Sequence, residues 1–320
     1  MNEHQLGQIC ALGAAMVWAA ALVLFKRSSE RISPLALNLF KNAIGLTLLC
    51  ATLLTLVALG HEQLDSIVGQ RPRDIGILMV SGFIGIALAD TLFFRALNLV
   101  GVGLFTVADC AYAPLAIGFS WWLLDERLGP LHYVGAALVV AGVFTATRHR
   151  PPPGRTHLQI MWGMLLAVVA VGMMAFGIVI VKPVLAHCPL LWATTVRMVA
   201  GTAPLALLGL ASGRQAATWA AFRPSRWWAY AVPAAVLGAY VSTLLWIAGF
   251  KFTYATVAAV LNQTSVIFAG VLAAAFLKEE FGWRKILALA LAMGGVLLVT
   301  FNDALEGAWR QFLAGRGVAG

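Results

Sequence analysis

Residues 113–143 read APLAIGFSWWLLDERLGPLHYVGAALVVAGV: an apolar run, a short charged turn and a second apolar run rich in small residues. A shift of 153 positions lays this stretch on a later part of the same chain. Ala116 then meets Ala269, Glu126 meets Glu279, Gly129 meets Gly282 and Gly142 meets Gly295. The register runs backward without a gap, so that Gly85 meets Gly238 and Leu92 meets Leu245. Further upstream, a shift of 156 pairs Gly7 with Gly163, Lys26 with Lys182, Lys41 with Arg197 and Gly45 with Gly201. Glycines, basic residues and a glutamate do not fall into register this way by chance, so the chain is built twice.

Composition says in what medium. Of 320 residues, 61% are hydrophobic and 11% charged, with mean hydropathy +0.87, against about 25% charged in soluble domains. The apolar residues fall in blocks of spanning length, near 6–25, 35–59, 74–95, 101–124, 130–147, 159–181, 189–211, 227–249, 255–277 and 283–301. Five spans per repeat is an odd number, so the second repeat enters the bilayer from the opposite face. The predicted fold is an all-α integral membrane protein of ten transmembrane helices in two inverted five-helix repeats. Residues 1–150 form the first repeat and 151–303 the second, joined near the stiff run Pro151-Pro152-Pro153. Residues 304–320 are a tail in which Leu305, Trp309, Phe312 and Leu313 share a face, the pattern of an interfacial helix. AATWAAF, in the loop after span 7, reads similarly.

The net charge of +9 does not indicate nucleic acid, because the basic residues lie between apolar blocks, where membrane topology needs them. Cys10, Cys50, Cys110 and Cys188 show no metal-ligand spacing and read as packing residues; no cofactor is implied. MNEHQLGQ lacks the basic start of a cleavable signal, so the first apolar run is expected to stay as a helix.

The segment 113–143 and its counterpart SVIFAGVLAAAFLKEEFGWRKILALALAMGGVLLV (265–299) resemble the two signature blocks of EamA-type transporters, within the drug/metabolite transporter superfamily. The shared pattern is a small apolar helix, a terminal Glu (Glu126, Glu279), a Gly turn (Gly129, Gly282) and a glycine-rich helix. LFFRALNLVGVG is similar to the family's link between the third and fourth spans. The resemblance implies a multi-pass protein of a bacterial inner membrane that moves a small metabolite, an amino acid or drug for example, with export the expected direction. It names no substrate. One departure is visible, since Pro114 has Ile267 as its counterpart, so a kink is expected in the first repeat alone.

Candidate site residues are the polar groups at membrane depth. A carboxylate there costs about 2.5–3.5 kcal/mol on insertion scales, and Asp109 sits in the middle of span 4 with Tyr112 on the same face. Their repeat partners are Asn262 and Ser265, which flank Gln263 in a polar run of span 9. These groups read either as facing walls of one substrate cavity or as interhelical hydrogen bonding. Tyr240 and Trp246 of span 8 join the cavity candidates, with spans 3, 4, 8 and 9 as its walls. Asp90 in span 3 is a second buried acid. Asp90 and Asp109 are the candidates for coupling transport to protons, and the alternative for Asp90 is a fixed ion pair with Lys41 or Arg95. Lys41 and Arg197 lie six to eight residues inside their spans. They either snorkel to the headgroups or serve as gate or anion-binding residues, and inversion would set them on opposite sides of the membrane. Glu126 and Glu279 have basic neighbours and read as structural. Glycines 135, 142, 294 and 295 make spans 5 and 10 packing helices.

Other classes fit poorly. An intramembrane aspartyl protease using Asp90 and Asp109 lacks the glycine setting around LAD and VAD, HEQLD lacks a second histidine for zinc, and no GxSxG elbow is present. A flippase for lipids or lipid precursors is the more serious rival. Partners are then a small solute, the bilayer and, through the acids, protons; a monomer is compatible with the sequence. The loops after odd spans carry 13 of the 22 basic residues and the termini and other loops 7, which places both termini outside. The family resemblance implies the reverse, and reporter fusions at the termini decide between them.

Overall fold

The computed structural model describes residues 3–30, 32–60, 69–124, 130–147, 156–211, 215–253, 255–277 and 282–300. Among them the regular structure is helical, with no strand. The long segments are α1 (Glu3–Ser29), α2 (Pro34–Ala58), α3 (Pro72–Val100), α4 (Val102–Leu124) and α5 (Pro130–Thr147) in the first half. The second half has α6 (His157–Leu185), α7 (Leu190–Ala211), α8 (Trp228–Phe252), α9 (Ala255–Leu277) and α10 (Trp283–Thr300). All except α5, α9 and α10 are long and apolar enough to cross a bilayer, and those three contain the shorter apolar stretches Tyr133–Gly142, Leu261–Leu277 and Ile286–Leu298. Glu126, Arg127, Gly129, Lys278, Glu279, the proline run and the tail lie outside the described residues.

The ends follow local chemistry. Ser33 caps α2 by accepting from the Ala36 amide, with Pro34 at the first turn, where proline's missing N–H is no loss. Thr156 and Gln159 form a reciprocal capping box on α6. Gly101, at φ 78°, breaks the chain between α3 and α4; a side chain there would be strained. The link sequence before it is therefore mostly helix, and α3 runs five residues past the expected boundary.

Packing is reciprocal between the repeats. Helix α1 lies against α8 and α9, and its equivalent α6 lies against α3 and α4. Each crossing is closest at a glycine: a Cβ on Gly7 would lie 2.7 Å from the Thr253 nitrogen, and one on Gly163 would lie 2.5 Å from Val100 Cγ1. Positions 100 and 253 are themselves repeat equivalents. Helices α5 and α10 pair along Gly142, which meets Ala288 and Ala292, and Gly295, which meets Gly135 and Val139. Trp122, Phe144, Leu207, Val271 and Trp283 stay exposed on the outside, as a lipid-facing surface allows. The helix Gln215–Ala220 sits in the loop where AATWAAF was expected to lie at the interface. Phe222, just after it, packs with Trp227 and Trp228 around Phe40 of α2.

Both repeats also share a backbone irregularity. Helix α3 contains a π-helical turn at Phe83–Leu88 and α8 contains one at Val236–Ser242, the same place in the two repeats to within one residue. Such turns are rare and concentrate at functional sites.

Candidate functional site

The π turns flank a cavity of about 160 Å³, room for roughly ten waters at about 15 Å³ each. Its lining is two-fold. Trp18 and Met174, Lys41 and Arg197, Asn42 and Met198, Gly85 and Gly238 are repeat-equivalent pairs, and both members of each pair line it. The same holds for Asp90 and Thr243, Phe93 and Trp246, Asp109 and Asn262, Tyr112 and Ser265. Equivalent positions of the two repeats therefore meet at this cavity.

The structure brings together all the sequence candidates except Tyr240. That residue lies within the second π turn and its hydroxyl is 2.6 Å from Thr52 Oγ1, away from the lining. The walls are more numerous than spans 3, 4, 8 and 9: α1, α2, α6 and α7 contribute as well. Lys41 and Arg197 both line this one cavity. Among the described residues, none of α5 or α10 lines this cavity.

Asp90 is ion-paired. Lys41 Nζ donates to Asp90 Oδ2 at 2.6 Å and to Asn42 Oδ1 at 2.7 Å, with both charged groups buried. Arg95 is exposed and takes no part. Asn42 in turn donates to Asn38 Oδ1 at 2.8 Å. Asn38 uses its amide on the first π turn, donating to the carbonyls of Ile86 at 3.1 Å and Ala87 at 3.3 Å, and to Thr91 Oγ1 at 3.0 Å. A widened turn leaves carbonyls without helical partners, and Asn38 supplies the donor they need. Replacing Asn38 with Ala strands the Ile86 carbonyl and the Asn42 amide, leaving Ala87 only its bond from Thr91 Oγ1, with an expected loss of about 1–3 kcal/mol. Thermal melting of the purified protein beside Thr47→Ala, an outward-facing control, checks it.

Asp109 ends the first part of α4. The helix is interrupted at Cys110 and Ala111 and resumes at Tyr112, because Pro114 has no N–H to return to the carbonyl four residues back. Helix α9, with Ile267 in that place, runs through unbroken, so the kink is confined to one repeat. Gln263 Nε2 donates to the Asp109 backbone carbonyl at 3.3 Å, while the Asp109 carboxylate faces the cavity without a hydrogen bond or ion pair among the described residues.

Arg197 is 3% exposed, and its guanidinium stands over the Trp246 ring at 5.7 Å. Its Nε and Nη1 have no hydrogen-bond partner among the described residues; nor do Tyr112 Oη, Asn262 Nδ2 and Gln263 Oε1. Five orphaned polar atoms around one cavity are uncommon, since buried polar groups are almost always paired. No group of three or more potential metal ligands occurs among the described residues. Lining residues that sequence reasoning missed include Asn42 and Thr194. Ser242 and Thr243, which the repeat register sets opposite Asp90, line the cavity as well.

No curated protein sequence matches the chain. A solved crystal structure shares its fold with a TM-score of 0.67, at 19% identity over 95% of this chain and 99% of that one. The family model of the EamA-like transporter family matches twice, over residues 5–148 and 161–301. Two matches in tandem, on a helical protein with a cavity lined by both of its halves, identify the chain as a multi-pass membrane protein of the EamA-like transporter family.

Proposed function

We propose that the protein is a secondary transporter that moves a small metabolite, outward across the plasma membrane of its cell, by alternating access. Ten spans in two inverted five-helix units rock about the central cavity. The observation that carries this reading is the two-fold lining: eight repeat-equivalent pairs meet on one cavity, so a small relative rotation of the halves can exchange its opening from one face to the other. The unpartnered polar groups of Arg197, Asn262 and Gln263 on a largely apolar lining favour a small solute that carries a polar end. Asp109 is the residue that takes up and releases a proton, because its carboxylate is free toward the cavity while that of Asp90 is held by Lys41. Lys41 and Asp90 serve as a fixed strut beside the first π turn.

Cysteines placed at 109 and 262 are expected to react with aqueous thiol reagents from each face in turn; if neither reacts in any state, the cavity is not a transport path. A resistance screen on overproducing cells supplies a transported compound. With it, Asp109→Asn is expected to lower pH-gradient-driven flux in membrane vesicles at least tenfold while leaving exchange at equal pH. Undiminished gradient-driven flux removes proton coupling through this residue.

A further inference from the structure

Resting on the reading of the cavity as a solute site, we propose that Arg197 binds the carboxylate of a small solute, which fills the place that Asp90 fills beside Lys41. The two repeats set up the same arrangement and then differ by one group. Lys41 and Arg197 are equivalent cations, and Asp90 and Thr243 are the equivalent positions facing them. In the first repeat the acid is present and the pair closes at 2.6 Å. In the second repeat the acid is missing. Thr243 does not substitute for it, because its hydroxyl donates to the Gly238 carbonyl at 2.9 Å within its own helix. Arg197 is therefore a buried cation with open donors on a cavity, a state that is costly until an anion arrives.

Geometry favours a carboxylate as that anion. A guanidinium presents a planar fork that matches a carboxylate with two parallel hydrogen bonds, and stacking over Trp246 holds the plane of the fork. Lys41 does not compete for the ligand, since Asp90 and Asn42 already occupy its ammonium. The acceptor Gln263 Oε1 and donor Asn262 Nδ2 remain for the rest of the solute.

The test uses the purified full chain in lipid nanodiscs and matched probes: propionate, lactate, glycine, leucine and phenylalanine, each with its carboxamide, and inorganic phosphate. At least one carboxylate is expected to raise the melting midpoint in a saturable way while its amide at equal concentration does not. Arg197→Gln weakens that binding at least tenfold, and Arg197→Lys, which keeps the charge and loses the fork, falls between. Thr243→Asp completes the missing pair, so it melts above the native chain without ligand and binds the carboxylate at least tenfold more weakly. In an Arg197→Gln background the same substitution lowers the midpoint instead. The proposal is overturned if acids and amides act alike, if no carboxylate or only phosphate acts, or if Thr243→Asp retains full affinity. Thiol labelling of Asn262→Cys separates this from failure of the transport reading: alternating reactivity with no carboxylate effect refutes the ligand class alone, and absent reactivity refutes both.

Discussion

Replacing Lys41 with Met is expected to destabilise the protein by about 3–5 kcal/mol, the loss found when one member of a buried ion pair is removed. Asp90 would be left charged and buried with no other cation within ion-pairing distance among the described residues. The loss is larger than that of an ordinary hydrogen bond because a buried charge without its partner forfeits its solvation as well. Asp90→Leu alone strands Lys41 and should lose a similar amount. Lys41→Met combined with Asp90→Leu removes both charges and should recover most of the stability, since an ion pair and an apolar pair of similar volume are often near equal. Unfolding of the four proteins in one detergent gives the cycle. Additive losses in the double variant would mean that the pair is not coupled, and the strut reading of these residues would be wrong.

The second large effect concerns Gly82. A Cβ there would collide with the backbone carbonyl of Arg197, with the Arg197 carbonyl carbon and Cα both at 2.8 Å. Backbone does not move aside as a side-chain tip does, so α3 and α7 must separate at the crossing that carries Arg197 into the cavity. Gly82→Ala is expected to lose about 1–3 kcal/mol from overpacking, and Gly82→Val more. Gly76, six residues earlier on the same helix, has nothing within 4 Å of the position a Cβ would take. Gly76→Ala should gain about 0.5–1 kcal/mol from its better helix propensity. Opposite signs for one chemical change on one helix separate close crossing from propensity. Melting midpoints of both variants check it, and a harmless Gly82→Ala would show that the crossing is loose.

The helical blocks, seven of them long and apolar enough to span, and the duplication were legible because hydrophobic blocks and register are properties of the chain itself. Asp109 and Asn262 could be paired from register alone. The fate of Asp90 could not, because the choice between Lys41, Arg95 and solitude depends on which helices neighbour α3. Lys41 likewise read as a snorkelling residue or a site residue until α2 was placed beside that helix. Tyr240 was a candidate only as an aromatic residue of span 8, and residue type does not say which way a side chain points: within the π turn its hydroxyl meets Thr52. The walls from α1, α2, α6 and α7 were missed although Lys41 and Arg197 marked two of them, since Ala14, Ala15, Met174 and Met198 carry little signal in an apolar run.

The two π turns also carry a chronology. A widened turn requires an inserted residue, and two independent insertions at one register in both halves are a poor explanation of Phe83–Leu88 and Val236–Ser242. One π turn present before the duplication accounts for both with a single insertion. The acid at 90 opposite the threonine at 243, and the proline at 114 opposite the isoleucine at 267, are differences between the halves. Two identical subunits would carry either two closed ion pairs or two open cations. A chain that holds both halves can keep one of each, which makes its cavity lining asymmetric where its backbone is not.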